Sequence, residues 1–488
     1  MNEDDIKKLP MLSSGNDVDS LLKIVNWGTG FAYLACLSYQ AVFLFAPLFR
    51  REKTGRPEGK HHFAVLISAR NEESVVTQLI ESIHRQTYTG GKIDVYLVAD
   101  NCTDRTAACA EKAGAHVLER SNTKQTGKGY ALDHLVEHMR KTGVFSDYDA
   151  FLIFDADNIL KEDFVEEINK TFSQGYPVLT SCRSSKNFTQ NWISCASGLW
   201  FMHDAQHSNG SRMMLGTNCM VNGTGFLVAR EVLEKAGGWK FHQLTEDIEF
   251  NAWCILNEVR SGYCEKAVFF DEQPVRTTDT WNQRLRWVKG YYHVMRRYGK
   301  RLFRAVLKRN GFSFAAVDML MASLPSFILF IIAFGFYLSS IGFALFTGRP
   351  TKFAILSVFR FYAIVTGVMF GLGVYTMSVE RDKIHIPGRR KWFYCLMFAF
   401  YMEQFIPIAV AALFKDVHWK PIRHSAVSPK DKKSLETTGQ SRKKTACARR
   451  CTTQDQMRKH PTQSSVRRHR RHKKQHSQLY KLLKGLLP

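Results

Sequence analysis

Metal-ligand spacing is missing from the cysteines of this chain. Eleven of them are scattered through 488 residues, and Cys447 and Cys451 stand without a second Cys or His pair. That excludes a zinc module. The chain is also too long for a small disulfide-stapled scaffold, which leaves reduced, cytosolic thiols. A leader cleavage site is missing too. No small-residue motif follows the first apolar stretch, Trp27–Phe49, which argues against a secretory signal. That stretch holds no charged residue and is long enough to cross a hydrocarbon core of ~30 Å. Acid is scarce: 44 Asp/Glu face 68 Lys/Arg, a formal charge of +24. The excess is uneven, because residues from Lys430 onward hold 18 Lys/Arg and 3 Asp/Glu and so carry +15 of it. The remaining +9 suits a protein whose inner face meets anionic lipid.

Charge also sets a topology. Residues 1–26 hold five acids and three bases, whereas Arg50, Arg51, Lys53, Arg56 and Lys60 follow the apolar stretch. Positive charge stays inside, so the next domain is expected in the cytosol of a multi-pass protein of the plasma membrane. The expected divisions are an extension over 1–25, a transmembrane helix over 26–49 and a catalytic domain over 50–278. An amphipathic interface region over 279–311, membrane helices over 312–414, a closing segment over 415–424 and a basic tail over 425–488 follow.

Within the domain, Phe63–Ala69, Asp94–Asp100 and Ala150–Asp157 read as buried strands. Glu72–Gln86, Thr103–Ala113 and Gly127–Lys141 read as helices between them. This alternation predicts an α/β fold, a Rossmann-like parallel sheet with helices on both faces. Ligands of such sheets bind outside the carboxyl ends of the strands, and three strand ends here carry polar or acidic residues.

Further on, Trp281, Leu285, Val288, Tyr292 and Met295 make a helical apolar stripe among Arg284, Lys289, Arg296 and Arg297. A basic amphipathic helix of this kind belongs at a membrane interface; packing on the domain core is the alternative. Phe312–Phe346, Phe353–Met377 and Trp392–Phe414 are apolar. Three full spans would put the +15 tail outside, so the third, with Glu403 and Pro407, is read as re-entrant or interfacial. The tail reads as disordered, with no specific nucleic-acid partner.

The acidic motifs suit nucleotide-sugar chemistry. The leaving diphosphate needs a divalent cation, and Mg²⁺ or Mn²⁺ prefers carboxylate together with phosphate oxygen. Asp157 is the expected metal ligand and Asp155 the contact to sugar or ribose. An acidic pair at a strand end often merely caps the next helix, and only context favours the catalytic reading. The acceptor hydroxyl needs a base, and Glu246 and Asp247 lie at the start of an expected helix, Asp247–Asn257. Asp247 is the candidate, and a single displacement assisted by it would invert the anomeric carbon. Asp100 suits the uracil or ribose. Lys128, in Gly127-Lys128-Gly129, suits phosphate. Arg284, Arg286 and Trp287 offer cations and an indole near the membrane.

With these residues in hand, residues 25–424 resemble the membrane-bound inverting glycosyltransferases of family 2, which include cellulose, chitin, hyaluronan and poly-N-acetylglucosamine synthases. The resemblance rests on Ser68-Ala69-Arg70-Asn71-Glu72, on Asp100, on Asp155 and Asp157 as a DxD, on Asp247 in a TED, and on Gln283, Arg286 and Trp287 as Q-x-x-R-W. It implies a GT-A domain, a UDP-sugar donor and substrate contacts at Ala69, Arg70, Glu72 and Gln283. Asn222-Gly223-Thr224-Gly225 stands where such synthases carry an acceptor segment, without matching it closely. The Q-x-x-R-W also resembles that of ceramide glucosyltransferases, which add one sugar to a lipid. The leading expectation is transfer to a growing glycan; the alternative is a single transfer to a membrane lipid.

Overall fold

In the computed structural model, the described residues are 58–308, 311–323 and most of 352–417, with scattered positions between 24 and 46 and between 332 and 346. The first apolar stretch lies mostly outside them, although residues 38–44 are helical. The tail and the closing segment from 418 onward lie outside the described residues.

The first strands follow the apolar runs. β1 (Phe63–Ala69), β2 (Ile93–Asp100) and β4 (Ala150–Asp155) are parallel neighbours, and β3 (His116–Arg120) adds to the edge of β2. Almost every side chain of β1 and β4 is buried, as expected when both faces of a sheet are covered. On one face pack α1 (Val76–His84), α2 (Thr106–Lys112) and α4 (Phe164–Phe172); on the other lies α3 (Lys128–Lys141).

The sheet departs from the all-parallel expectation at its middle. Its order is β3-β2-β1-β4-β7-β6-β8-β5, where β5 is Ile159–Leu160, β6 Val178–Ser185, β7 Phe226–Ala229 and β8 Ser261–Asp271. β7 runs antiparallel to both β4 and β6. The sequence hid this because β7 is four residues long and fully buried, too short to show a period. The result is a GT-A-like α/β fold with a mixed sheet.

Between β6 and β7 the chain forms α5 (Trp192–His203), a π-helical turn over Asp204–Asn209 and α6 (Gly210–Leu215). Two more helices, α7 (Arg230–Ala236) and α8 (Glu246–Leu256), lie between β7 and β8 in the chain. α9 (Thr277–Val306) then runs for 30 residues. Its apolar stripe is spent on protein: Val294, Met295, Tyr298 and Leu302 pack on Ile248, Ala252 and Ile255 of α8. Leu285 and Val288 pack on Ile408, Ala409 and Ala412. Of the expected stripe, Leu285, Val288 and Met295 are buried in this packing, which favours the alternative of packing on protein. Separately, Leu307–Lys308 and Gly311–Phe312 form a two-stranded hairpin.

The apolar C-terminal third contains α10 (Phe314–Ser323), α11 (Lys352–Val379), α12 (Gly388–Glu403) and α13 (Phe405–Phe414). Val358–Val379 and Gly388–Phe414 are long and apolar enough to cross a membrane. Only 6% of the first window is buried, and its exposed side chains include Phe359, Ile364 and Val368. An apolar face of that size left in water would be an aggregation hazard. The second candidate is interrupted by a turn at Gln404. Pro407 supplies no N–H for the carbonyl of Glu403, which accounts for the interruption.

Candidate active site

β-sheet register assembles the site. Ser68 pairs with Val98 on one side and with Asp155 on the other, so the ends of three strands come level. The chain turns away from β1 and β2 at Asn71 and Asn101, both left-handed with φ of 58° and 54°. Asn tolerates that region because its short amide bonds locally. Asn71 Oδ1 accepts from the Thr103 amide at 2.8 Å, and Asn101 Oδ1 from the Asn122 amide at 2.8 Å. These bonds tie the loops that follow β1, β2 and β3 into one rim.

A cleft of about 1740 Å³ opens at that rim. Arg70, Glu72, Asp100, Lys128, Asp155, Asp157, Glu246, Asp247, Gln283, Arg286 and Trp287 all line it. Ala69, the last residue of β1, is buried in the core and does not line it. Asp100 is also buried, in an ion pair with Arg120 at 2.5 Å.

Lys128 Nζ donates to Asp155 Oδ1 and, at 2.6 Å, to the carbonyl of Gly223. Burial works against its ammonium, but Asp155, Glu246 and Asp247 outweigh burial and hold its pKa above the usual lysine range. Gly129 serves the backbone of Phe241, whose carbonyl oxygen would lie 2.1 Å from an added Cβ. Gly127, at φ 116° and with nothing within 4 Å of an added Cβ, is the open glycine of the pair.

Burial, reinforced by Asp271, pushes the Asp157 carboxyl well above the usual range. Burial acts on Asp271 in the same sense, yet Arg183 overrides it and keeps that carboxyl low. The two carboxyls of this crowded pair are thus pushed in opposite directions. Asn158 bridges the pair, donating to Asp157 at 3.2 Å and to Asp271 at 3.1 Å. Asp271, Arg183 and Asn158 were not singled out from sequence. The signal existed: the apolar run Ala267–Phe270 of β8 ends in an acid, as β2 and β4 do.

Among the described residues no group of three His, Cys, Asp or Glu side chains is placed to hold a metal. Mg²⁺ and Mn²⁺ at phosphate sites bind through one or two carboxylates and take the rest from phosphate and water. Asp157, which lines the cleft and whose ionised form is disfavoured by burial and by Asp271, fits that mode, since a cation there would favour the carboxylate.

Opposite Asp155 lies the start of α8. Burial, then Asp247, pushes Glu246 up to about 7, and burial likewise raises Asp247. Asp247 Oδ2 lies 3.7 Å from where a side chain on Gly223 would begin. Arg286 Nη1 donates to the Leu244 carbonyl at 3.1 Å, which fixes its guanidinium beside both carboxylates. The Oε1 of Gln283 is buried with no hydrogen-bond partner within the protein, an acceptor poised for a ligand donor. Trp287 stands edge-on to Phe201, with centroids 6.1 Å apart.

Arg284 does not join them. It is buried, stacked 3.4 Å over Tyr401 and 4.2 Å from the Phe405 centroid, and donates to the Tyr401 carbonyl. Burial lowers its pKa to about 10. The expectation of a cation near the diphosphate is corrected at this position and kept for Arg286.

The mixed sheet with its flanking helices defines a GT-A-like α/β domain. A family model described as "Glycosyltransferase like family 2" matches residues 60–290, a little under half of the chain. The beta-monoglucosyldiacylglycerol synthase of Nostoc sp. is 25% identical over 323 residues, 63% of this chain and 65% of the relative. The synthase of the same name from Synechocystis sp. is 25% identical over 234 residues, 47% of each. Matches to these relatives thus span about half to two thirds of their length. The probable glycosyltransferase YdaM of Bacillus subtilis is 22% identical over 365 residues, 72% of this chain and 82% of the relative. A solved mannosyltransferase of Pyrobaculum calidifontis, in complex with GDP-Man and Mn²⁺, has a similar fold. Its TM-score is 0.50 at 13% identity, over 80% of this chain and 99% of that one.

Proposed function

We propose that this protein is a membrane-bound inverting glycosyltransferase that moves one sugar from a UDP-sugar to the hydroxyl of a membrane lipid. The observation that carries the reading is the continuity of the cleft. It runs from Asp155, Glu246 and Asp247 past Trp281 and Phe405 to Phe361, Ile364, Val365 and Val368 of α11. Those α11 residues lie in a helix fit to span a bilayer. A growing glycan is expected to need a polar path, whereas this arm is apolar. The names of the glycolipid synthases among the relatives support the same choice over a polymerase.

In this reading Asp247 accepts the proton of the lipid hydroxyl. The lipid oxygen bonds to the anomeric carbon on one face as the bond to the diphosphate breaks on the other, and UDP departs. Asp157 would hold Mg²⁺ or Mn²⁺, which when bound neutralises charge on the leaving diphosphate. Arg286 offers a second cation, Lys128 keeps Asp155 in place, and Gln283 and Trp287 orient the sugar. The domain lies on the cytosolic side. The C-terminal end of α11 docks on it through Thr376 and His203, and the basic segment Glu380–Lys391 follows at that end.

The test is to incubate membranes holding the full chain with radiolabelled UDP-sugars and Mg²⁺ or Mn²⁺, then size the products. A lipid bearing one sugar is expected. A polymer would return the glycan reading.

A further inference from the structure

The apolar arm of the cleft has a polar floor that the catalytic groups do not use. The π-helical turn after α5 presents Asp204 and Ser208 to the cleft, with His203 and Arg212 on either side of the turn. π-turns of this kind commonly mark functional positions. The Asp204 carboxylate accepts from Asn222 Nδ2. Asn222 precedes Gly223, which abuts the Asp247 carboxylate and accepts from Lys128. Asp204 is therefore one short stretch of backbone away from the candidate base, on the side where the cleft turns apolar.

The charge of this floor excludes an anion. Arg212 is buried and held by Asp318, with Nε at 2.7 Å. Burial, then His207, drives His203 down to about 3, so its ring is neutral. A second acid lines the arm, Glu403, which accepts from Thr366 at 2.5 Å. Arg360 lies at the far end of the arm, twelve residues from Leu372, on the order of 18 Å along α11. Burial already disfavours negative charge at Asp204, and with Arg212 engaged by Asp318 this floor offers a phosphate no compensating cation.

We propose that the floor formed by Asp204, Ser208 and Asn222 positions the hydroxyl end of an uncharged lipid acceptor against Asp247, with Ile364, Val365 and Val368 holding its chains. This rests on the transfer to lipid proposed above. The class named is a neutral lipid alcohol, as against a phospholipid or a lipid phosphate. Ile364 and Val368 both line the arm and are more than half exposed, so such a lipid can enter sideways from the hydrocarbon.

The test uses the full-length protein in mixed micelles with a radiolabelled UDP-sugar it accepts. Three acceptors are offered: dioleoylglycerol, dioleoyl phosphatidylglycerol with the same chains, and undecaprenyl phosphate. Single transfer to dioleoylglycerol is expected to exceed the others at least about tenfold. Asp204→Asn should raise the KM for dioleoylglycerol about tenfold, the loss of one charge-assisted hydrogen bond, with UDP binding unchanged. Val368→Trp, which fills the arm, should do the same through the chains. Single transfer that favours either anionic lipid, or variants with an unaltered KM, would overturn the acceptor assignment and leave lipid transfer standing. A polymer with no singly glycosylated lipid would overturn both.

Discussion

Asp247 carries the chemistry proposed for this site, so its amide variant is the sharpest residue-scale test. Asp247→Asn keeps the shape and removes the base, and transfer should fall by roughly 10²–10⁴-fold. UDP binding, followed by calorimetry, should persist. Glu246 sets the pH response. Its carboxyl is pushed from 4.5 up to about 7 by burial and by Asp247, so the pair sheds its second proton near neutrality. Transfer should rise through about pH 7, and Glu246→Gln should move that rise to lower pH. Stability follows the opposite sense. A carboxyl that binds its proton more tightly when folded adds no penalty below about 4.5, and a growing penalty from there to about 7. Glu246→Gln should therefore raise the unfolding midpoint at pH 8 and leave it unchanged at pH 4.5. At this scale the sequence was informative where acids end apolar strands. It was silent on pairing: nothing in the order of residues says that Lys128 is engaged by Asp155, or that Arg284 faces away while Arg286 faces in. Those outcomes depend on the rotation of α9 about its axis, which tertiary packing sets.

At the scale of elements, α9 brings the Q-x-x-R-W residues to the start of α8 by a close backbone approach at Gly290. An added Cβ there would lie 2.4 Å from the Thr245 side chain. Gly290→Ala should displace α9, destabilise the protein by about 1–3 kcal/mol and lower transfer by displacing Arg286. Gly299, on the same helix, meets nothing within 4 Å. Gly299→Ala should leave transfer intact and add up to about 1 kcal/mol of stability through helix propensity. Thermal unfolding and initial rates on both variants separate the two. Legibility from sequence followed length and period here. The three strands and three helices expected up to Asp155 fall within a few residues of their apolar runs, whereas β3, His116–Arg120, was missed. The antiparallel β7 and the π-turn over Asp204–Asn209 were illegible, because each is shorter than one useful period and its direction is set by partners remote in sequence.

At the scale of the molecule, the catalytic domain and the apolar C-terminal helices share surface. Ile193, Ala196 and Leu199 of α5 pack with Met377, Tyr394 and Phe398. Polar donors of α9 serve the far helices as well: Lys289 Nζ donates to the Ala412 carbonyl at 3.0 Å and Tyr292 to that of Ala409 at 3.1 Å. The protein should stay with the membrane in alkaline carbonate, which strips proteins bound by charge alone. Recovery in the supernatant would refute a spanning α11. The sequence made this union visible only as adjacency, an amphipathic helix followed by apolar runs. It could not say that the stripe of α9 would be shared between α8 and α13.

The burial of Arg284 against Tyr401 and Phe405 has a consequence for the order of events at birth. The guanidinium and its two rings are separated by well over a hundred residues of chain. While the ribosome is still making the apolar helices, α9 carries a cation with nowhere dry to go, and Gln283, Arg286 and Trp287 wait with it. The face of α9 that carries Arg284 is thus completed only when Tyr401 and Phe405 are in place. On the proposed function, a chain truncated before Tyr401 should turn over no nucleotide sugar, which an assay of that truncation checks.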